Sequence, residues 1–231
     1  MPRYTGILQL EGFDYTYDKR LLDRLIEGKS RPVREHLKAE LEYQSRTVRF
    51  LENHDESRAA ATFDQKKHEA AAIITYFSPG LRFFHQGQLE GKRTHISSHL
   101  VRGPHEPVDP DLQRFYSRLL EVLKNPLFEK GRWKLLDAKA TWSGNGTWES
   151  FIAFSWEGSY SKTGVVVVNY APYPSQCFLQ LPLPYLADKK WKLRNMMGEE
   201  YYERDGNSML SEGLFLEMPA WHYHAFEFKP L

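Results

Sequence analysis

The chain has 231 residues, 41% hydrophobic and 26% charged, which is typical of a soluble globular protein with a sizeable core. Its net charge of +1 excludes a strong field for nucleic acid or acidic membranes, and no apolar run approaches the ~18 residues of a membrane-spanning helix. The single cysteine, Cys177, excludes an internal disulfide and a cysteine-based metal cage. We therefore expect no nucleic-acid partner, no membrane partner, no cofactor, no metal and a cytoplasmic location.

Strand and helix patterns alternate over the first 130 residues. The strand patterns cover 12–18, 47–53 and 80–87, and the helical patterns cover 19–28, 31–44, 63–80 and 111–125. Ser30 is predicted to cap the second helix and Asp64 the third, which Pro79–Gly80 ends. Three consecutive strand–helix units predict parallel strands with helical crossovers.

The helical pattern stops near residue 131. The remaining residues form short apolar runs separated by Gly, Pro, Asn and Ser, a spacing that predicts an antiparallel β-sandwich of about a hundred residues. The predicted domains are therefore 1–130, which is α/β, and 131–231, which is all-β.

A cluster of polar residues follows the second predicted strand. Asn53, His54 and Asp55 stand where its apolar run stops, and ligands of parallel α/β folds bind at the carboxyl ends of strands. A solvated turn before a helix is the alternative. A metal site is disfavoured because one histidine with flanking carboxylates has no further histidine or cysteine at ligand spacing.

Other titratable residues have plainer interpretations. The histidines of the following segment share no helical or strand period, so we interpret them as solvated loop residues; they are His85, His95, His99 and His105. Asp14 and Asp18 of the first predicted strand either face a cleft or belong to a charged strand end.

The polar cluster and its surroundings resemble a known family. RFLENHDESR (49–58) is similar to the fourth signature region of the α-amylase family, glycoside hydrolase family 13, in which an apolar strand ends in Asn-His-Asp. IITYFSPGLRFFHQGQLEG (73–91) resembles the next landmark of that family, and GFDYTYDKRLLDRL (12–25) resembles its sixth strand and the following helix. These three landmarks and the terminal β region account for most of the chain.

The resemblance implies a fold and a function. Residues 1–130 would be the last three βα units of a (β/α)8 TIM barrel, and residues 131–231 the C-terminal β-sandwich. The whole enzyme would be a retaining hydrolase or transglycosidase of carbohydrate metabolism, acting on α-glucosidic bonds of a glucan or oligosaccharide. Asp55 would stabilise the transition state, while His54, Asn53 and Arg58 would bind substrate.

Two expected carboxylates have no counterpart in the sequence. The family's nucleophilic Asp and acid/base Glu precede the sixth barrel strand, and neither landmark occurs in residues 1–11. Three strands also cannot close a barrel. We therefore expect the chain alone to be inactive and its partner to be the missing N-terminal barrel half. A fragment, a subunit of a split enzyme and a degenerate product remain the alternatives.

A different class of function is a non-catalytic carbohydrate-binding or partner-binding protein. Tryptophans of the β region would then form a sugar platform, with core packing as the alternative interpretation. The tryptophans in question are Trp133, Trp142, Trp148, Trp156, Trp191 and Trp221.

Overall fold

The computed structural model describes residues 5–97, 99–100, 102–159 and 162–231. By its internal contacts it divides into two compact units. The α/β unit comprises the residues up to Gly28 together with Glu35–Leu120, and the β unit comprises Lys29–Arg34 and Glu121–Leu231.

Three short strands of the α/β unit form a parallel sheet. β1 (Thr16–Tyr17) and β3 (Leu81–Arg82) both pair with the central strand β2 (Thr47–Arg49). The parallel pairing expected from three strand–helix units is confirmed, although each strand is shorter than its sequence pattern. Within the described residues β1 and β3 each pair with β2 only, so each has one edge without a hydrogen-bonded strand.

Helices precede, separate and follow these strands along the chain, and there are more of them than the four helical patterns predict. The helices that precede β4 in the sequence are α1 (Thr5–Leu10), α2 (Lys19–Glu27), α3 (Ser30–His36), α4 (Leu41–Ser45), α5 (Ala59–Thr62), α6 (Gln65–Phe77), α7 (Pro110–Leu123) and α8 (Leu127–Lys130). α2 begins where the Asp18 side chain accepts a hydrogen bond from the amide of Leu21, and it ends at Gly28 in the left-handed conformation.

The helix predicted over 31–44 is instead two helices, α3 and α4. The Gln44 side-chain amide donates to the carbonyls of Leu37 and Ala39, which the break removes from the helical hydrogen-bond ladder. Ser30 was predicted as the cap, but its hydroxyl donates to the carbonyl of Glu149, which like Ser30 belongs to the β unit. Asp64 does stand at the N-terminus of α6 without making a side-chain capping bond.

The β unit contains nine strands among its described residues. They are β4 (Arg132–Leu136), β5 (Ala138–Lys139), β6 (Phe151–Glu157), β7 (Thr163–Asn169), β8 (Ser175–Leu179), β9 (Lys190–Asn195), β10 (Tyr201–Asp205), β11 (Leu214–Met218) and β12 (Tyr223–Pro230). One antiparallel sheet has the order β10-β9-β12-β7-β6-β4, and a second has the order β11-β8-β5. The short helix α9 (Gly206–Ser211) lies between β10 and β11, where the sequence predicted no helix.

Residues from both antiparallel sheets share one hydrophobic core. Val165 and Val167 of β7, Leu179 of β8 and Leu193 of β9 are fully buried in the same cluster, and Leu216 of β11 joins it. A core filled by alternating side chains of two sheets is the arrangement that short strands with period-two patterns favour.

No helix in the described ranges combines the length and the apolar character that crossing a membrane requires.

Candidate functional site

The candidate site is the loop that follows the central strand of the parallel sheet. From the end of β2 at Arg49, the chain stays buried through Phe50, Leu51 and Glu52 to Asn53. It then emerges, since the side chains of His54 and Asp55 are 53% and 72% exposed. These two exposed polar side chains lie on the carboxyl side of a parallel strand, which is the side where ligands of α/β sheets bind.

The Asn53 side chain stabilises the turn at which the chain becomes exposed. Its side-chain oxygen accepts hydrogen bonds from the amides of Asp55 and Glu56, at 2.9 and 3.0 Å. This closed turn is characteristic of asparagine, whose short amide can replace a backbone acceptor. Asn53 itself is buried, so it stabilises the loop conformation from its buried side.

His54 and Asp55 are neighbours in space as well as in sequence. The Nε2 atom of His54 lies 3.4 Å from an Asp55 carboxylate oxygen. The carbonyl of His54 accepts a hydrogen bond from Nε2 of His95, at 2.9 Å. An exposed carboxylate beside an exposed imidazole can accept and donate hydrogen bonds to a hydroxylated ligand.

Arg58 and Glu52 form a fully buried ion pair beneath this loop. Arg58 Nη1 lies 2.6 Å from Glu52 Oε1, and the other carboxylate oxygen accepts from the amide of Ala59 at 2.7 Å. Arg58 also donates to the carbonyls of Gln86 and Thr94. These bonds compensate the desolvation of both charges and join the end of β2 to the segment that follows β3.

His85 was expected to be a solvated loop residue, and the structure corrects this. Its Nδ1 atom lies 2.9 Å from Arg58 Nη1 and 3.3 Å from Glu52 Oε1, with only 24% of the side chain exposed. The buried charges attract the imidazole, which loop composition alone does not reveal. His95, by contrast, is exposed as expected, although its ring is bound to the His54 carbonyl.

A second buried charge cluster links β1 to β2. Asp18, directly after β1, accepts from Arg49 and lies 2.7 Å from His36 Nε2. Burial opposes ionisation of Asp18, but the His36 hydrogen bond and the Arg49 charge outweigh it, so the pKa of Asp18 lies below its usual value. The interpretation of Asp18 as a charged strand end agrees with its place directly after β1 in this ion-paired cluster, whereas a residue that is 4% exposed does not face an open cleft.

The surroundings of the loop are charged and aromatic. Lys19, at the start of α2, lies 3.2 Å from Glu56 and so connects the end of β1 with the candidate loop. Tyr17 of β1 contacts Phe50 and Phe83 edge-on, at centroid distances of 5.3 and 6.2 Å. Among the described residues no group of three His, Cys, Asp or Glu side chains could hold a metal ion.

Sequence reasoning overlooked the buried partners of the site, namely Glu52, His85, Arg49 and His36. A usable signal was present for two of them. Arg49 and Glu52 interrupt the apolar run RFLEN, and a charge within a buried strand needs a partner. The identity of that partner depends on tertiary structure. A cavity of about 450 Å³ that His36 lines contains none of the residues of the candidate loop.

Comparisons with known proteins address the fold. No protein-family model and no curated protein matches the chain. Solved structures do: a noncanonic maltogenic alpha-amylase, AmyB, from Thermotoga neapolitana is 17% identical with a TM-score of 0.72, covering 95% of this chain and 51% of that one. An alpha-amylase from Anoxybacillus is 16% identical with a TM-score of 0.76, covering 100% and 50%.

A third solved structure is the alpha-amylase from Geobacillus thermoleovorans in complex with acarbose, which is 15% identical with a TM-score of 0.73 and coverages of 99% and 51%. The chain thus spans about half the length of the solved structures it matches. At these identities the likeness concerns the fold, and at that level the resemblance drawn from sequence is confirmed: the chain has the fold of the C-terminal part of the α-amylase family.

Proposed function

We propose that the chain is the C-terminal part of an α-amylase-like enzyme that hydrolyses or transfers glucan at α-glucosidic bonds, with retention. In this proposal residues 1–130 supply the last three βα units of a TIM barrel, and residues 131–231 are its C-terminal β-sandwich. The observation that carries it is the exposed pair His54 and Asp55 at the carboxyl end of a central parallel strand, in a chain with this fold.

Asp55 is the proposed transition-state stabiliser and His54 the proposed sugar contact. Glycosidic cleavage passes through an oxocarbenium-like state, and hydrogen bonds to sugar hydroxyls that strengthen as charge develops lower its barrier. An exposed carboxylate offers acceptors for two hydroxyls, and the adjacent imidazole offers a further donor or acceptor.

Asn53 and Arg58 enter the proposal through the loop that they hold. Both side chains are 4% exposed, so they bear on the substrate by fixing the positions of His54 and Asp55 instead of by the direct contact that the resemblance implies. Preorganisation of this kind is valuable at an active site because displacements of about 1 Å are costly.

The partner in this proposal is the N-terminal half of the barrel. The outer edges of β1 and β3 have no strand neighbour among the described residues, and apolar side chains nearby are exposed, including Phe13, Tyr15 and Leu81. Such edges and patches favour pairing with further strands. The half that provides these strands would also bring the nucleophilic Asp and the acid/base Glu.

The substrate in this proposal is an α-glucan or oligosaccharide. Support comes from the matching alpha-amylases, one of which was solved with acarbose. The competing idea of a tryptophan platform on the β unit has less support. Trp133, Trp156 and Trp191 are buried in the core. Among the six tryptophans, Trp142 is the most exposed, with 58% of its surface accessible.

An assay of the purified 231-residue chain on maltooligosaccharides tests the proposed division of labour. We expect no turnover, because the chain holds the stabilising carboxylate without the two that break the bond. An alpha-amylase assayed in parallel establishes that the substrate is competent. Measurable turnover by the chain would mean that it contains its own nucleophile and would overturn the proposal.

A further inference from the structure

The segment after β3 returns to the candidate loop and binds it at two adjacent residues. The carbonyl of Thr94 accepts from Arg58 Nε at 3.3 Å, and Nε2 of the next residue, His95, lies 2.9 Å from the carbonyl of His54. Because a carbonyl can only accept, the His95 ring must carry a proton on Nε2 and donate it.

A carboxylate fixes the backbone that carries these two residues. Glu106 accepts from the amide of Arg93 at 2.8 Å and from the amide of Thr94 at 3.2 Å. These backbone hydrogen bonds hold the pKa of Glu106 below its usual value. The backbone at His95 is therefore held by the hydrogen bonds of Glu106 to the preceding residue, Thr94, although the His95 ring is exposed.

The bond from His95 adds a second hydrogen bond to the peptide group that joins His54 to Asp55, whose N–H donates to the Asn53 side chain. Asn53 fixes the amides of Asp55 and Glu56, and Arg58 is held by Glu52. The peptide of His54 has its carbonyl bound by His95. A shift of that peptide group would displace the Cα atom that carries the His54 imidazole, so hydrogen bonds at both its N–H and its carbonyl restrain the side chain that is proposed to contact the sugar.

We propose that His95 is a positioning residue for His54, acting through the hydrogen bond from its Nε2–H to the His54 carbonyl. This inference rests on the proposed function of the His54–Asp55 pair and adds a residue from the segment after β3 to that site. It assigns a role to a loop histidine that sequence alone leaves as a solvated residue.

Three substitutions separate the donated proton from ring shape and general loop effects. His95→Phe keeps a flat ring of similar size without a donor, and His95→Gln keeps an N–H donor on a side chain of similar reach. His99→Phe is the matched control, since His99 is another exposed histidine of the same segment outside the contacts described.

Kinetics of the complete enzyme and amide exchange of the 231-residue chain are both measured. In the enzyme we expect His95→Phe to lower kcat/KM about tenfold, with a rise in KM, while His95→Gln retains most activity and His99→Phe all of it. In the chain we expect faster exchange of the Asp55 and Glu56 amides in His95→Phe alone.

Either of two results overturns the inference. One is a His95→Phe variant with unaltered kinetics and unaltered exchange of those amides. The other is a His95→Gln variant that loses as much as His95→Phe, since the donated proton would then not matter. The Asp55→Asn variant distinguishes this failure from failure of the proposed function: if that variant loses activity while His95→Phe does not, only the role of His95 is wrong.

Discussion

In the α/β unit the segment after the central strand buries two charged side chains, Glu52 and Arg58, whereas in the β unit β7 buries four consecutive valines, Val165–Val168. Glu52 and Arg58 are enclosed as an ion pair beneath the candidate loop. A buried ion pair is seldom more stabilising than an apolar pair of the same size, but it fixes geometry. The α/β unit thus buries a charged pair beneath the candidate loop, whereas the core cluster of the β unit is built from apolar side chains.

Removing one partner of the buried ion pair is the largest expected perturbation of this contrast. Arg58→Ala removes the guanidinium that pairs with the buried Glu52 carboxylate and leaves it only the Ala59 amide and His85, so we expect the α/β unit to lose about 3–5 kcal/mol in free energy of unfolding. Amide exchange measured separately in each unit reports the loss, which we expect to be confined to the α/β unit. Combining Arg58→Met with Glu52→Gln removes both charges and should restore part of it.

The matched control for that experiment is a large-to-small substitution in the apolar core. Leu179→Ala should cost the β unit about 2–5 kcal/mol through lost burial and a cavity, and no second substitution of a charged residue should restore it. Equal destabilisation of the α/β unit by Arg58→Ala alone and by the charge-free double variant would contradict the view that an unpaired charge causes the loss.

A smaller, pH-dependent effect distinguishes the units through one buried histidine each. Burial lowers the pKa of His68 in the α/β unit, and of His224 in the β unit, to about 4. Between pH 6.5 and about 4 the unfolded chain binds more protons, so stability falls as pH falls through this window. At pH 5 we expect a loss of roughly 2 kcal/mol for each histidine relative to pH 7.

Substitutions locate that pH effect. His68→Phe should remove the acid sensitivity of the α/β unit, and His224→Phe that of the β unit, as followed by urea unfolding or amide exchange at pH 7 and pH 5. Unchanged acid sensitivity in both variants would contradict the assignment of this effect to the two buried histidines.

The sequence predicts part of the secondary structure and leaves part of it unpredicted. Period-two and period-3.6 patterns predict the parallel strands and the run of antiparallel strands, because one-sided burial leaves that imprint on a sequence. β10 (Tyr201–Asp205) lacks this imprint because it alternates exposed and half-buried side chains without a strong apolar run. The helix break after His36 was not predicted because it depends on hydrogen bonds from the Gln44 side chain to the carbonyls of Leu37 and Ala39, which helical periodicity does not reveal.

The candidate site was predictable in its exposed part and unpredictable in its support. The residues Asn53, His54 and Asp55 follow an apolar run, which is a local signal. Their support comes from His85, His95 and the backbone of Gln86 through contacts that span 27 to 41 residues, and no local pattern encodes such contacts. Whether Asp55 acts on a sugar stays a prediction of the proposed function.

The most direct test of the central claim is kcat of the complete enzyme carrying Asp55→Asn, with Asp64→Asn as a matched control. Asp64 is an exposed aspartate whose side chain makes no capping bond. We predict that Asp55→Asn lowers kcat on maltooligosaccharides by on the order of a thousandfold, about 4 kcal/mol of transition-state stabilisation, without altering folding. Wild-type kcat in the folded Asp55→Asn variant would contradict the account and remove Asp55 from the site.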